Sequence, residues 1–260
     1  MVRYTKTHPD LVFMNTAAGP KLSADAVVYH RELAQGWEGR YRKKSFRARQ
    51  QALGECLSGC ALAGTKWIDA GCGTGTLSRW LASQGCQVTG VDAASDMIEV
   101  AVDLTRRARP ALPVEFTRVA TIAHLPFHDA AVDGVLCSSV LEYVDDPGRC
   151  LQEFARVLRP GGWLVVSVPN AASLIRRGQV AAHRAGRFLG CGWLRFLDYS
   201  RHEYTSREFR QMLDAHGFAA ERALSLGSPI PRWLQRRAWA GSLLMFRAIR
   251  RQAGITVHNA

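Results

Sequence analysis

Residues 66–92 read KWIDAGCGTGTLSRWLASQGCQVTGVD. Lys66–Ala70 is a short apolar run of strand character that opens into a turn with glycines at 71, 73 and 75. TLSRWLASQ then has helical periodicity and stops at Gly85, and CQVTGVD is a second strand ending in Asp92. Strand, glycine turn, helix and strand in this order predict a βαβ unit.

The alternation continues toward the C-terminus. SDMIEVAVDLTRRA (95–108) places Met97, Ile98, Ala101 and Leu104 on one helical face, and Pro110 stops it. VEFTRVA (114–120) reads as a third strand, and AVDGVLCSSVLEYV (131–144) as a fourth that runs on into a turn. CLQEFARVL (150–158) is a short helix ended by RPGG, and WLVVSVP (163–169) is a fifth strand. The fold class is α/β, with a parallel sheet and helices on both faces.

The flanks are less regular. The stretch to Gly64 reads as added helices, including RELAQGWEGRYRKKSFRARQQALGECL (31–57). NAASLIRRGQVAAHRAGRFLGCGWLRFLDY (170–199) reads as one or two helices laid over the sheet. TSREFRQMLDAHGF (205–218) is a capped helix that starts at Thr205 or Ser206 and stops at Gly217. AAERALSL (219–226) and SLLMFRAI (242–249) read as closing strands, with SPIPRWLQRRAWAG (228–241) a loop or short helix between them.

Composition narrows the class. The chain has 260 residues, 47% of them apolar and 22% charged, the balance of a globular protein. Its net charge of +12 is unevenly placed: residues 1–66 carry +6, residues 67–170 carry −4 and residues 171–260 carry +10. An anionic partner would therefore meet the flanks. Seven cysteines without regular spacing do not form a secreted disulfide framework, and Cys56 and Cys60 lack the second pair of a zinc ribbon. MVRYTKTHPDLVFMN has Pro9 and Asp10 where a signal peptide needs an apolar run, so none is expected, and no apolar run is long enough to span a bilayer. The expected location is cytoplasmic.

Spacing separates the cofactors that a glycine turn can serve. A dinucleotide fingerprint, G-x-G-x-x-G, needs glycine at 76 or 78, where Thr76 and Ser78 stand. The ending of a nucleoside triphosphate loop is absent too. Asp69 precedes the glycines instead, which suits a ligand with positive charge near the turn and repels pyrophosphate.

DAGCGTG with Asp92 beyond it resembles the class I S-adenosylmethionine-dependent methyltransferases. The likeness continues through HLPFHDAAVDGVLCSSVLEYVDDPGRCLQEFARVLRPGGWLVVSVPN, which is similar to the small-molecule branch of ubiquinone-pathway and natural-product O-methyltransferases. It covers residues 64–170, with a weaker echo in YSRHEYTSREFRQMLDAHGF. The fold implied is a Rossmann-like, seven-stranded, mostly parallel sheet with added N-terminal helices and a C-terminal cap. Residues 1–64 would be a helical extension or lid. Residues 65–260 would be the methyltransferase domain, with 171–204 and 225–241 as insertions covering the methyl acceptor.

Carried over by position, Asp69, Gly71, Cys72, Gly73 and Gly75 would surround the methionine part of S-adenosylmethionine. Asp92 would accept from both ribose hydroxyls, with Ala93 beside it and Met97 packed near the adenine. The family's third-strand acid, which accepts from the adenine amino group, is replaced here by Thr121. Ile122 keeps the role of apolar neighbour of the ring, and Ser138 faces the rear of the cleft. The reaction is an in-line displacement from a sulfonium, most simply at oxygen of a small aromatic or hydrophobic acceptor. N- or C-methylation of a small molecule or lipid is the alternative, and a non-catalytic cofactor-binding or regulatory protein is a third reading.

The core motifs carry no fixed catalytic group, because the reagent is activated by its own charge and the protein mainly aligns and excludes water. His202, in the segment that covers the acceptor, is one candidate base; it could equally support the helix after it. Tyr143, where related sequences have histidine, is the second catalytic candidate: at the mouth of the cleft it would contact the acceptor or close over it, with packing as the alternative. Glu142 and Asp145 read as solvated loop acids, and His30 and His183 rank lower. CSSVLEYVDD offers acids but no matching ligand after the fifth strand except Asn170, so no metal is expected.

The run Arg40–Arg49, with Trp37, Tyr41 and Phe46, reads as a lid over the cofactor in preference to a nucleic-acid contact. Phe188, Trp193, Leu194, Phe196 and Leu197 alternate with Arg187 and Arg195, and Ile230, Trp233, Leu234 and Trp239 accompany Arg232, Arg236 and Arg237. These mixtures suit a pocket for a hydrophobic or acidic acceptor, or peripheral contact with a membrane. Oligomeric state has no visible signature.

Overall fold

A computed structural model of the chain describes residues 24–36, 44–108, 110–188, 195–227, 237 and 239–252. Seven strands form one sheet: β1 (Lys66–Ala70), β2 (Gln87–Asp92), β3 (Val114–Arg118), β4 (Val132–Ser138), β5 (Leu158–Pro169), β6 (Phe218–Leu226) and β7 (Leu243–Arg250). Their order is β3-β2-β1-β4-β5-β7-β6. The first five strands pair in parallel, and β7 is antiparallel to both of its neighbours. The helices are α1 (Ala24–Leu33), α2 (Lys44–Cys56), α3 (Thr76–Ser83), α4 (Ser95–Arg107), α5 (Pro147–Val157), α6 (Leu174–Phe188) and α7 (Ser206–Ala215).

Strand periodicity divides the core between the two faces of the sheet. Ile68, Val135, Cys137, Leu164, Val166 and Phe246 point one way, and Trp67, Leu136, Val165 and Met245 point the other. The first face is covered by Leu151 and Phe154 of α5 and by Phe209 and Leu213 of α7. The second is covered by Leu53 of α2 and by Leu77 and Leu81 of α3. Each fully buried side chain of this size contributes about 1.5–3 kcal/mol of transfer free energy. Both faces are closed, which is why the central strands read as nearly continuous apolar runs.

Local chemistry sets the helix ends. Asp146 caps α5 by accepting from the Arg149 amide at 2.9 Å, with Pro147 at the first helical position. The helix therefore begins three residues before the periodic run at Cys150. At α7 the Thr205 amide donates to Glu208 Oε2 at 2.8 Å and the Glu208 amide donates back to Thr205 Oγ1 at 3.3 Å, a reciprocal capping box. RPGG differs from expectation: it forms the start of β5, not a turn ahead of it. Gly161 there has φ 78°, and the pairing with β4 shifts register between Val132 and Gly134, which absorbs the extra residues as a bulge.

Strand order reverses between β1 and β4, and in such sheets ligands bind beyond the C-terminal strand ends at the reversal. Ala70, Asp92 and Ser138 end the three strands around that point. Among the described residues no helix is long and apolar enough to cross a membrane.

Candidate functional site

The glycine turn after β1 is left-handed at all three glycines, with φ of 77°, 53° and 73° at 71, 73 and 75. Space as well as conformation requires two of them. A Cβ on Gly71 would stand 2.3 Å from Val140 Cγ2, and one on Gly75 would stand 2.4 Å from Phe116 Cζ. The close packing lets α3 start directly behind the loop and leaves the loop backbone open on its other side.

That open side borders a cavity of about 330 Å³, within the range of small-ligand sites. Gly71, Cys72, Gly73, Asp92 and Ala93 form one wall, with Met97, Ile122 and Ser138 beside them. Asp92 Oδ2 accepts from the Gly73 amide and Oδ1 from the Ala94 amide, each at 2.9 Å. Burial pushes its carboxyl up, while these amides and the charge of His30 pull it down. A carboxylate offers about four acceptor positions, so Asp92, which lines the cavity, keeps acceptor capacity beyond these amides.

Three residues expected at the cofactor do not line the cavity. Gly75 holds the base of the loop against Phe116. Thr121 is buried, and its Oγ1 accepts from the Ala123 amide at 3.1 Å. Asp69 lies behind the loop, where its Oδ2 accepts from Ser78 Oγ at 2.6 Å. Its carboxyl is raised to about 7 by burial, against the bond from Ser78, with the charge of Asp92 adding to the rise.

The remaining lining residues of the same cavity define its second part, a second chamber. Its walls are Tyr29 and His30 of α1, Arg49 of α2, Glu142 and Tyr143 after β4, and Arg176 and Gln179 of α6. Phe196, Leu226 and Leu243 supply the apolar surface. Tyr143 is 7% exposed and meets the His30 ring edge-on at 5.1 Å. Burial and the neighbouring Glu142 charge hold its phenol well above the usual range. Tyr29 stacks on Tyr199 at 4.7 Å, fastening α1 over the chamber.

His202 is outside the lining. Its Nε2 bonds the Val144 carbonyl at 3.0 Å, so it steadies the loop after β4. His183, on α6, is also outside the lining, with Nε2 2.9 Å from Asp198 Oδ1. Asp145 is a surface acid paired with Arg201. Glu142 departs from its sequence reading: it is no solvated acid but 5% exposed beneath the chamber. Arg176 is absent from the sequence candidates, and Arg49 enters them only as the end of a basic run. The burial of Arg176 depends on Glu203, Ser200 and Phe196, which come from more distant sequence.

Among the described residues, no three His, Cys, Asp or Glu side chains gather to hold a metal ion. Asn170 is consumed by the backbone: Nδ2 donates to the Gly241 carbonyl at 2.7 Å and Oδ1 accepts from the Ala172 amide at 3.1 Å. Arg40–Lys43, Trp37 and Tyr41 lie outside the described residues, as do Trp193, Leu194, Ile230, Arg232, Trp233, Leu234 and Arg236. So do the side chains of Phe46, Arg187, Phe188 and Arg195. Of the flanking aromatics, Phe196 and Trp239 are described; Phe196 lines the cavity and Trp239 is 50% exposed.

Comparison with known proteins agrees with this geometry. Residues 68–166 match the family described as Methyltransferase domain. A ubiquinone biosynthesis O-methyltransferase of Chromobacterium violaceum is 34% identical over 113 residues, 42% of this chain and 47% of that protein. The chain thus spans about half the length of the curated relatives it matches. Magnesium protoporphyrin IX methyltransferase of Synechocystis superposes with a TM-score of 0.63 at 18% identity, covering 86% of this chain and 99% of that one. The cyclase SpnF superposes at 0.65 with 19% identity, covering 90% and 98%. At such identities these two likenesses speak for the fold.

Proposed function

Through residues 68–166 the chain belongs to the class I S-adenosylmethionine-dependent methyltransferases, and on that premise we propose that it methylates a small, largely apolar molecule at oxygen. The observation that carries the reading is the position of Asp92. Its carboxylate lines a continuous cavity that also takes in the apolar Phe196, Leu226 and Leu243 beside the polar Arg49, Glu142 and Arg176. The residues fit the cofactor: Asp92, a carboxylate with acceptor capacity beyond the amides it holds, lines the cavity next to the open backbone of a glycine turn, where ribose hydroxyls would lie. Met97 and Ile122 are the apolar flanks for the adenine. Bound there, S-adenosylmethionine would supply an already activated methyl group. The residues around it bind, align and exclude water.

The extensions serve the second chamber. Residues 1–64 act as a lid, a role supported by Tyr29, His30 and Arg49 in its wall. Residues 171–204 and 225–241 cover the acceptor, supported by Arg176, Gln179 and Phe196 from the first and Leu226 and Gly227 from the second. The apolar surface with two arginines suits a hydrophobic acceptor carrying polar oxygen groups. Ubiquinone-pathway relatives, named for O-methylation, favour oxygen over nitrogen or carbon.

Calorimetric titration with S-adenosylhomocysteine tests the premise, with NAD as control. Wild type should bind the first ligand and not the second. Asp92→Asn loses the charge and one of the two acceptors that hold the Gly73 and Ala94 amides, and it should bind at least about tenfold more weakly, since each charge-assisted bond contributes roughly 1.5–3 kcal/mol. Equal binding by both proteins would remove Asp92 from the site.

A further inference from the structure

Glu142 follows β4 at the floor of the acceptor chamber, 5% exposed, and its Oε2 is sealed from solvent without a hydrogen-bond partner. Folded proteins leave few buried polar atoms in this state, and one beside a ligand cavity calls for a reason. The surroundings do not supply it. Arg176 spends Nε on Glu203 Oε1 and Nη2 on Ser200 Oγ, both at 2.8 Å, and lies over the Phe196 ring. Arg49 from α2 and Arg176 from α6 act on Glu142 through their charge, Tyr143 through its hydroxyl and Glu203 through an opposing charge. Glu142 is therefore a carboxylate in a positive, nearly dry setting, short of one donor.

Resting on the methyltransferase reading above, we infer that Glu142 takes the proton of a hydroxyl on the methyl acceptor, which makes the acceptor a phenol or enol. The acceptor's O–H bond breaks as the proton passes to Glu142. The freed oxygen pair bonds the methyl carbon while that carbon's bond to sulfur breaks, its pair staying on the sulfur. A methyl ether and a protonated Glu142 remain, and charge balances because the sulfonium becomes a neutral thioether. The surroundings favour oxygen over nitrogen. A carboxylate beside an amine favours the ammonium form, whose lone pair is already bonded, and Arg49 and Arg176 oppose that cation. The same two arginines favour a developing oxyanion. Burial raises the Glu142 carboxyl from its usual range, which brings it closer to the strength a base needs near neutral pH.

The test titrates the S-adenosylhomocysteine-loaded protein with 4-methylcatechol and, separately, with phenethylamine. Wild type is compared with Glu142→Gln and Glu142→Asp, and each is also melted. Glu142→Gln should keep its affinity for S-adenosylhomocysteine and melt within about 2 °C of wild type, because the carboxylate is not a structural counter-ion. It should bind 4-methylcatechol at least about tenfold more weakly and transfer methyl at least about a hundredfold more slowly, without the rise of rate with pH that a titrating base gives. Glu142→Asp should recover part of the catechol binding. Unchanged catechol affinity in Glu142→Gln overturns the inference. So does a wild type that binds phenethylamine and not 4-methylcatechol, or binds neither. A fall in melting temperature of about 8 °C or more overturns it too, by showing that Glu142 holds the arginines in place. Failure of wild type to bind S-adenosylhomocysteine is a different result, and it overturns the methyltransferase reading itself.

Discussion

Ser78 Oγ stands 2.6 Å from Asp69 Oδ2, so the first turn of α3 is tied to the end of β1 behind the glycine loop. The tie holds the loop's shape, and because the carboxyl is buried it also makes the loop sensitive to pH. The folded Asp69 keeps its proton up to about 7, against 3.8 for the ordinary group. The folded state therefore binds this proton more tightly than the unfolded chain does. Its contribution to stability is complete below about pH 4 and is lost as pH rises through about 7. Asp69→Asn keeps an oxygen for Ser78 and removes the titration. Relative to wild type, its melting temperature should climb between about pH 4 and 8, ending several degrees higher. Parallel melting curves across that range would refute the assignment.

Gly71→Ala should destabilise the protein by about 1–3 kcal/mol, because the new methyl group meets Val140 at 2.3 Å in a left-handed backbone. The displaced Val140 borders the cavity, so affinity for S-adenosylhomocysteine should fall as well. Gly161→Ala is the control. It shares the positive φ but has open space around the site, and it should lose stability without losing ligand affinity. Denaturant titration together with calorimetry separates the two outcomes.

Arg156 binds Glu153 through Nε and Nη2 at 2.9 and 2.7 Å and reaches Asp129 at 2.7 Å and the Leu125 carbonyl at 3.2 Å. Glu153 in turn accepts from the Leu125 amide at 2.6 Å and is 7% exposed. Arg156→Ala strands a buried carboxylate and should cost about 2–4 kcal/mol in an unfolding titration. Adding Glu153→Gln should restore more than half of that loss. A double variant no better than the single would mean the pair does not act as a unit.

Arg176 is 4% exposed, with Glu203 and Ser200 as its partners. Arg176→Met fills similar volume without charge or donors. It should destabilise by about 1–3 kcal/mol, since Glu203 is itself partly open to solvent, and should leave S-adenosylhomocysteine affinity within about threefold. Cofactor binding weakened beyond that would place the residue at the wrong end of the cavity.

The strands and the cofactor wall were legible in the sequence for one physical reason. A buried parallel strand, a glycine turn and a terminal carboxylate are local features, written in adjacent residues. Asp92, Gly71 and Gly73 needed no tertiary information, and they meet at one wall of the cavity. The second chamber was illegible for the opposite reason. Glu142 stands in a loop with Asp145 and Asp146, and its composition looks like a solvated turn. Only α2 and α6, packed over it from about a hundred residues before and thirty after, make it a buried acid. His202 shows the reverse: a histidine in the covering segment reads as chemistry, yet a carbonyl from 58 residues earlier occupies its Nε2.

The place of β7 in the sheet also bears on how the chain is made. Among the described residues β6 pairs only with β7, and β7 lies between β5 and β6 although it follows both in sequence. A nascent chain that has emerged through Leu226 therefore carries β6 with nothing to bind. Its five parallel strands end in the bare edge of β5, whose apolar side chains include Leu164, Val166 and Val168. Until Leu243–Arg250 slot into that gap, the half-built sheet offers an open template to any other extended chain, and the risk of aggregation is concentrated in that interval of synthesis.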